Sequence, residues 1–122
     1  MKISVLASGS SGNCFYIQNK NSGILVDAGI SSKQIIERMK RLRINPGLVK
    51  GIFITHEHSD HIRGVDVFSR MFNIPIFATK GTEKNCFLCS DEDNINIIKN
   101  NESVKIGGME VEAFSKSHNC AD

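Results

Sequence analysis

The chain has 122 residues, 40% of them hydrophobic and 23% charged, with a formal net charge of +2. This is the profile of one globular domain with a small core, and it excludes two ordinary domains. The positive balance is too slight to argue for nucleic acid by itself.

Lys2 to Ala7 reads as a strand, followed by the small-residue turn Ser8-Gly9-Ser10-Ser11-Gly12. Asn13 to Gln18 and Gly23 to Asp27 read as two further strands joined through Asn19 to Ser22. The continuous apolar run Ile24-Leu25-Val26 suits a strand covered on both faces. Ser31 and Gln34 form a capping box, and Ile35, Ile36, Met39 and Leu42 then repeat at helical spacing. Asn45-Pro46-Gly47 is expected to end that helix.

Lys50 to Thr55 is the next predicted strand, and a histidine cluster follows it directly. A second helix is expected over His61 to Phe72, weakened at Gly64. Pro75 to Ala78 suggests a short strand, Thr82 to Leu88 a helix and Ile95 to Lys99 a strand. Ser103 to Ile106 and Met109 to Phe114 are expected to pair as a hairpin around Gly107-Gly108, with His118 just beyond. Together these elements suggest a sheet with helices on its outer side.

The cluster is Thr55-His56-Glu57-His58-Ser59-Asp60-His61, in a chain with only four histidines. After a strand, the spacing of His56 and His58 can aim both imidazoles at one point. Asp60 and His61 are adjacent and suit a second metal, since two-metal hydrolytic sites hold their ions roughly 3.5–4 Å apart. Imidazole suits zinc, and a carboxylate widens the choice toward manganese or magnesium. The cluster sits outside a strand end, where sheets flanked by helices place active sites.

The pattern His56-x-His58-x-Asp60-His61, preceded by an apolar strand and Thr55, resembles the metallo-β-lactamase superfamily. Leu25-Val26-Asp27-Ala28-Gly29 is similar to that family's upstream strand-plus-aspartate motif, and His118 falls where it places its next histidine ligand. The opening Ala7-Ser8-Gly9-Ser10-Ser11-Gly12-Asn13-Cys14 resembles the bacterial YycJ/WalJ/VicX group. The resemblance implies an α/β (α+β) fold, the αββα sandwich, of which this chain supplies about the first half. Residues 1–122 are then the N-terminal part of a single domain, because the family's later bridging aspartate and final histidine have no counterpart here.

It also implies roles for individual residues. His56, His58 and His118 would hold one divalent ion and Asp60 and His61 a second, the ions being Zn or Mn. Asp60 would also orient the nucleophile, and Asp27 would stand behind the ligands and fix the histidine loop. The chemistry implied is hydrolysis by a hydroxide that the two metals activate. The group resemblance points to a phosphodiesterase, a DNA exonuclease, in the full-length protein. Thioesterase or lactonase chemistry is the alternative, and the chain by itself is expected to be an inactive metal-binding fragment prone to self-association.

Three weaker signals remain. Arg38-Met39-Lys40-Arg41-Leu42-Arg43 could contact phosphates, or could be a solvated helix face. Cys86-Phe87-Leu88-Cys89 is a lone C-x-x-C, read with Cys14 and Cys120 as reduced, structural cysteines. No stretch is long enough to span a bilayer, and the apolar run after Lys2 is too short for a signal core. A cytoplasmic protein without a membrane partner is therefore expected.

Overall fold

The structure, a computed structural model, describes residues 1–56, 58–85 and 87–112. Six strands form one sheet in sequence order: β1 (Lys2–Ala7), β2 (Cys14–Asn19), β3 (Ser22–Val26), β4 (Val49–Phe53), β5 (Ile76–Ala78) and β6 (Ile95–Ile97). The first three are antiparallel neighbours; β3 through β6 run parallel. Parallel neighbours need crossovers. These are α1 (Ser32–Arg41), the pair α2 (Ser59–Ile62) and α3 (Val65–Phe72), and α4 (Lys80–Asn85). A separate hairpin, β7 (Ser103–Ile106) and β8 (Met109–Glu112), turns at Gly107 and Gly108. Both glycines have positive φ, as a two-residue hairpin turn requires.

Helix α1 forms as its sequence signals. Ser31 accepts from the Gln34 amide, and Gln34 returns a bond to the Ser31 backbone. Ile35 and Met39 point inward with no exposed surface. The helix ends earlier than Pro46 would dictate, because Arg43 turns left-handed at φ 60° and Ile44 N–H reaches back to Met39 O. Pro46 instead opens a short 3-10 turn capped by Asn45.

The two faces of the sheet differ. Tyr16, Leu25, Ile52 and Ile76 pack under α1 and α3 against Ile35, Met39 and Phe68. On the other face Ile24, Phe53 and Phe77 meet the hairpin through Met109, Val104 and Ile106. The hairpin comes so close to β4 that a side chain at Gly51 would strike Ile106. That face continues past the hairpin. Ile3 pairs with Ile17 and Val5 with Phe15, yet Ile3 and Val5 stay 67% and 57% exposed.

Candidate metal centre

Parallel strands β3 and β4 end at the same edge of the sheet, which brings the two loops that follow them together. The first loop begins at Asp27, only 3% exposed and held at φ 63°. Aspartate enters this left-handed region more readily than most residues. Its N–H bonds to Phe53 O at 2.7 Å, tying the first loop to the end of β4.

Both oxygens of the Asp27 carboxylate are engaged. Oδ1 accepts the Thr55 N–H at 2.8 Å. Oδ2 accepts the Thr55 hydroxyl at 2.6 Å and faces His61 Nδ1 at 2.7 Å. Thr55 Oγ1 also lies 2.9 Å from His56 Nδ1. These contacts assign the ring protons by elimination. A carboxylate only accepts, so His61 Nδ1 carries hydrogen. The single Thr55 hydroxyl hydrogen goes to Asp27, so Thr55 must accept from His56 Nδ1–H. Both rings therefore carry hydrogen on Nδ1, and Nε2 is the atom each would offer to a metal.

The two rings stand 4.6 Å apart. One ligand atom from each of Asp27, His56 and His61 fits within 4.8 Å. This donor set suits a divalent cation, with two neighbouring imidazoles and an anionic carboxylate among them. Both oxygens of Asp27 are hydrogen-bonded, one of them to the His61 ring, so the carboxylate fixes the orientation of that ring.

Asp60 and His61 lie in the single turn α2, and Asp60 Oδ2 is 3.6 Å from His61 Nε2. Asp60 thus lies beside the three-residue cluster but is not one of its members. His58 is exposed at the N-cap of α2 and stands outside the three-residue cluster. Glu57 and His118 lie outside the described residues, as do Cys86, Cys120 and the end of the expected last strand at Phe114.

A clamp of backbone contacts holds α2 in place. Asn13 N–H bonds to Asp60 O at 2.7 Å, Ala28 N–H to His61 O at 2.8 Å and Gly64 N–H to Ala28 O at 2.7 Å. A Cβ on Gly29 would fall 1.7 Å from Asp60 O, so this approach requires glycine. Thr55 and Asn13 are the supporting residues to which the sequence reading assigned no role, the first quoted only as a flank and the second only as the start of a strand and within the opening motif. A hydroxyl beside the first histidine was the available signal for Thr55, since it can donate and accept at once.

The basic stretch on α1 reads differently in three dimensions. Arg38 donates from Nη1 to Leu6 O at 2.7 Å, pinning the helix to β1 and removing this residue from a phosphate-binding face. Lys40 and Arg41 lie exposed in the last turn, where cations complement the helix dipole. Of the C-x-x-C pair, Cys89 is a free, buried thiol 3.9 Å from Ser69 Oγ.

Residues 7–116 match the family described as the Metallo-beta-lactamase superfamily. The chain belongs to this superfamily. Within it the chain is 38% identical over 122 residues to the exodeoxyribonuclease WalJ of Streptococcus pneumoniae, covering 96% of this chain and 45% of that protein. It is 37% identical over 125 residues to the exodeoxyribonuclease YycJ of Bacillus anthracis, covering 100% of this chain and 47% of the relative. The chain therefore spans about half the length of the curated relatives it matches. The superfamily fold is met again in MEM-A1, a subclass B3 metallo-beta-lactamase from a soil metagenome library, at 22% identity and TM-score 0.75. That match covers 92% of this chain and 48% of the neighbour, so the chain supplies about half of the fold. Among the described residues no helix is long and apolar enough to cross a membrane.

Proposed function

We propose that the whole protein is a metal-dependent exodeoxyribonuclease, and that these residues supply the first half of its active site. The observation that carries this reading is the Asp27–Thr55 relay, which engages the Nδ1 atoms of His56 and His61 and sets their rings beside each other. The exodeoxyribonuclease relatives, aligned over nearly the whole chain, support DNA as substrate.

In this reading His56 and His58 hold one ion together with His118, and Asp60 and His61 hold a second. The ions are zinc or manganese. When bound, such ions supply Lewis acidity, polarising the scissile group and making water acidic enough to attack near neutral pH. The protein's own share is orientation. Asp27 and Thr55 keep two imidazoles in the tautomer that can ligate, and Asp60 directs the attacking water. The bridging aspartate and last histidine come from the rest of the protein, whose half of the sandwich covers Ile3, Val5, Phe15 and Ile17. The 122-residue chain alone is then an inactive metal binder that self-associates through that apolar face. We further place the protein in the cytoplasm, in keeping with the free thiols of Cys14 and Cys89.

A second reading is thioester hydrolysis at the same ions. It draws on 34% identity over 65 residues to a hydroxyacylglutathione hydrolase of Tolumonas auensis, a match covering 53% of this chain and 24% of that enzyme. Full-length protein loaded with zinc or manganese should release nucleotides from the ends of linear DNA and lose this activity in chelator. Turnover of a thioester with intact DNA left behind would reverse the preference. Inertness toward every DNA substrate with either metal would remove the nuclease reading.

A further inference from the structure

Resting on the two-ion reading above, we propose that Asn13 is a positioning residue that sets the Asp60 carboxylate for the second ion. Asn13 follows a tight turn in which Gly9 and Gly12 have φ of 116° and 153°. Asparagine is common in turns because it tolerates positive φ, but Asn13 is absent from the positive-φ residues, so backbone conformation does not explain it. Its side chain does. Oδ1 accepts the Gly9 N–H at 3.2 Å, which fixes the amide so that Nδ2 lies on the opposite side. One Nδ2 hydrogen goes to Gly9 O at 3.0 Å. The other is directed at Asp60, with Oδ2 at 3.3 Å and the main-chain oxygen at 3.4 Å.

The main chain of Asn13 is held just as firmly. Its N–H bonds to Asp60 O at 2.7 Å, and its C=O accepts the Gly29 N–H at 2.8 Å. The side-chain amide therefore has almost no freedom, and Asp60 Oδ2 meets a fixed donor on one side. On the other side the same oxygen stands 3.6 Å from His61 Nε2. The amide thus turns the carboxylate toward the nitrogen that would share its ion. Without that hydrogen bond the carboxylate can rotate toward solvent, since Asp60 is only half-buried. Outer partners of this kind typically change metal affinity about 10- to 100-fold.

The test is titration of metal-free, full-length protein with manganese, comparing the wild type with Asn13→Ala and, should that variant fold poorly, Asn13→Ser. The Gly9 bonds are exposed, so water can replace them and the turn should survive. The expected result is two binding steps in the wild type, with the weaker step lowered in affinity about 10-fold or more in either variant. The tighter step should stay within about a factor of two, and melting of the metal-free protein should hardly move. An unchanged weaker step in a folded variant overturns the proposal, as does an equal loss at both steps, which marks general loosening. A wild type that binds fewer than two ions removes the two-ion reading itself, and this inference with it.

Discussion

Replacing Asp27 by asparagine exchanges one carboxylate oxygen for an NH2 group and leaves size and backbone tolerance intact, since asparagine also accepts φ near 63°. The amide oxygen has to remain opposite the Thr55 N–H, which cannot turn away. The NH2 group then takes the place of Oδ2, facing Thr55 Oγ1 and His61 Nδ1. Thr55 can rotate its hydroxyl to accept from the amide and donate to His56 Nδ1. His61 Nδ1 must also accept. Both rings should therefore switch to the Nε2–H tautomer, which places hydrogen on the nitrogens meant for metal. Binding an ion must reverse each switch at the expense of one hydrogen bond, about 1–1.5 kcal/mol apiece. The sum is about 2–3 kcal/mol, or roughly a 30- to 140-fold loss of affinity. Folding stability should change little, because every group keeps a partner. Multiple-bond 15N NMR of the metal-free protein reports the tautomers directly, and competition with a chromophoric chelator reports the affinity. Nδ1–H rings in Asp27→Asn, with affinity within about threefold of wild type, would refute the relay.

Gly29→Ala should be the most disruptive small change, because its methyl group would fall on Asp60 O, a main-chain atom that cannot swing aside. Overpacking alone costs about 1–3 kcal/mol, so a lowered urea midpoint together with weakened metal binding is expected. Cys14 is buried and its thiol is pushed up to about 12, chiefly by desolvation and then by the charge of Asp27. A folded pKa raised above the ordinary 9.0 adds stability that is complete below pH 9 and is lost as pH rises toward 12. In the native protein Cys14 should resist iodoacetamide at pH 8 and react only on denaturation, as read by mass spectrometry. The Arg70 guanidinium beside Asp66 holds its carboxyl down at about 2, with help from the Ser90 amide. Its folded pKa is depressed, so its contribution is present above pH 3.8 and fades as pH falls through about 2. Asp66→Asn should lose about 1 kcal/mol at pH 7, allowing for solvent screening through the exposed Arg70 side of the pair, and almost nothing near pH 2.

Features that depend on neighbours along the chain were readable from the residues. The capping box at Ser31, the inward spacing of Ile35 and Met39 and the Gly107-Gly108 turn are all local, and each forms as expected. Features that depend on distant partners were not. The expected helix over Thr82 to Leu88 instead covers Lys80–Asn85, because the Thr79 hydroxyl accepts the Thr82 N–H and starts it earlier. Leu88 looked helical because it is apolar, but it is buried in the core beyond the helix end, beside a loop that Asp66 fastens through Ser90. Arg38 could be read as a phosphate contact or as part of a solvated face, because the sequence does not reveal that Leu6 O lies within its reach.

The same distinction applies inside the site. Gly64 marked a weak point in the helix from residue 61 to residue 72, and the chain does divide there into α2 and α3. Low helix propensity is only part of the cause. The Gly64 N–H bonds to Ala28 O, and a side chain there would strike Ile30 O. The carbonyls of Asp60 and His61 are meanwhile taken by the Asn13 and Ala28 amides. The helix is thus interrupted because its backbone is tied to two other loops, and those ties keep the Asp60 and His61 side chains at the sheet edge beside Asp27. The motif names the residues that could hold metal. Their placement depends on Asn13, Gly29 and Thr55, small polar residues and a glycine whose importance appears only once the loops are brought together.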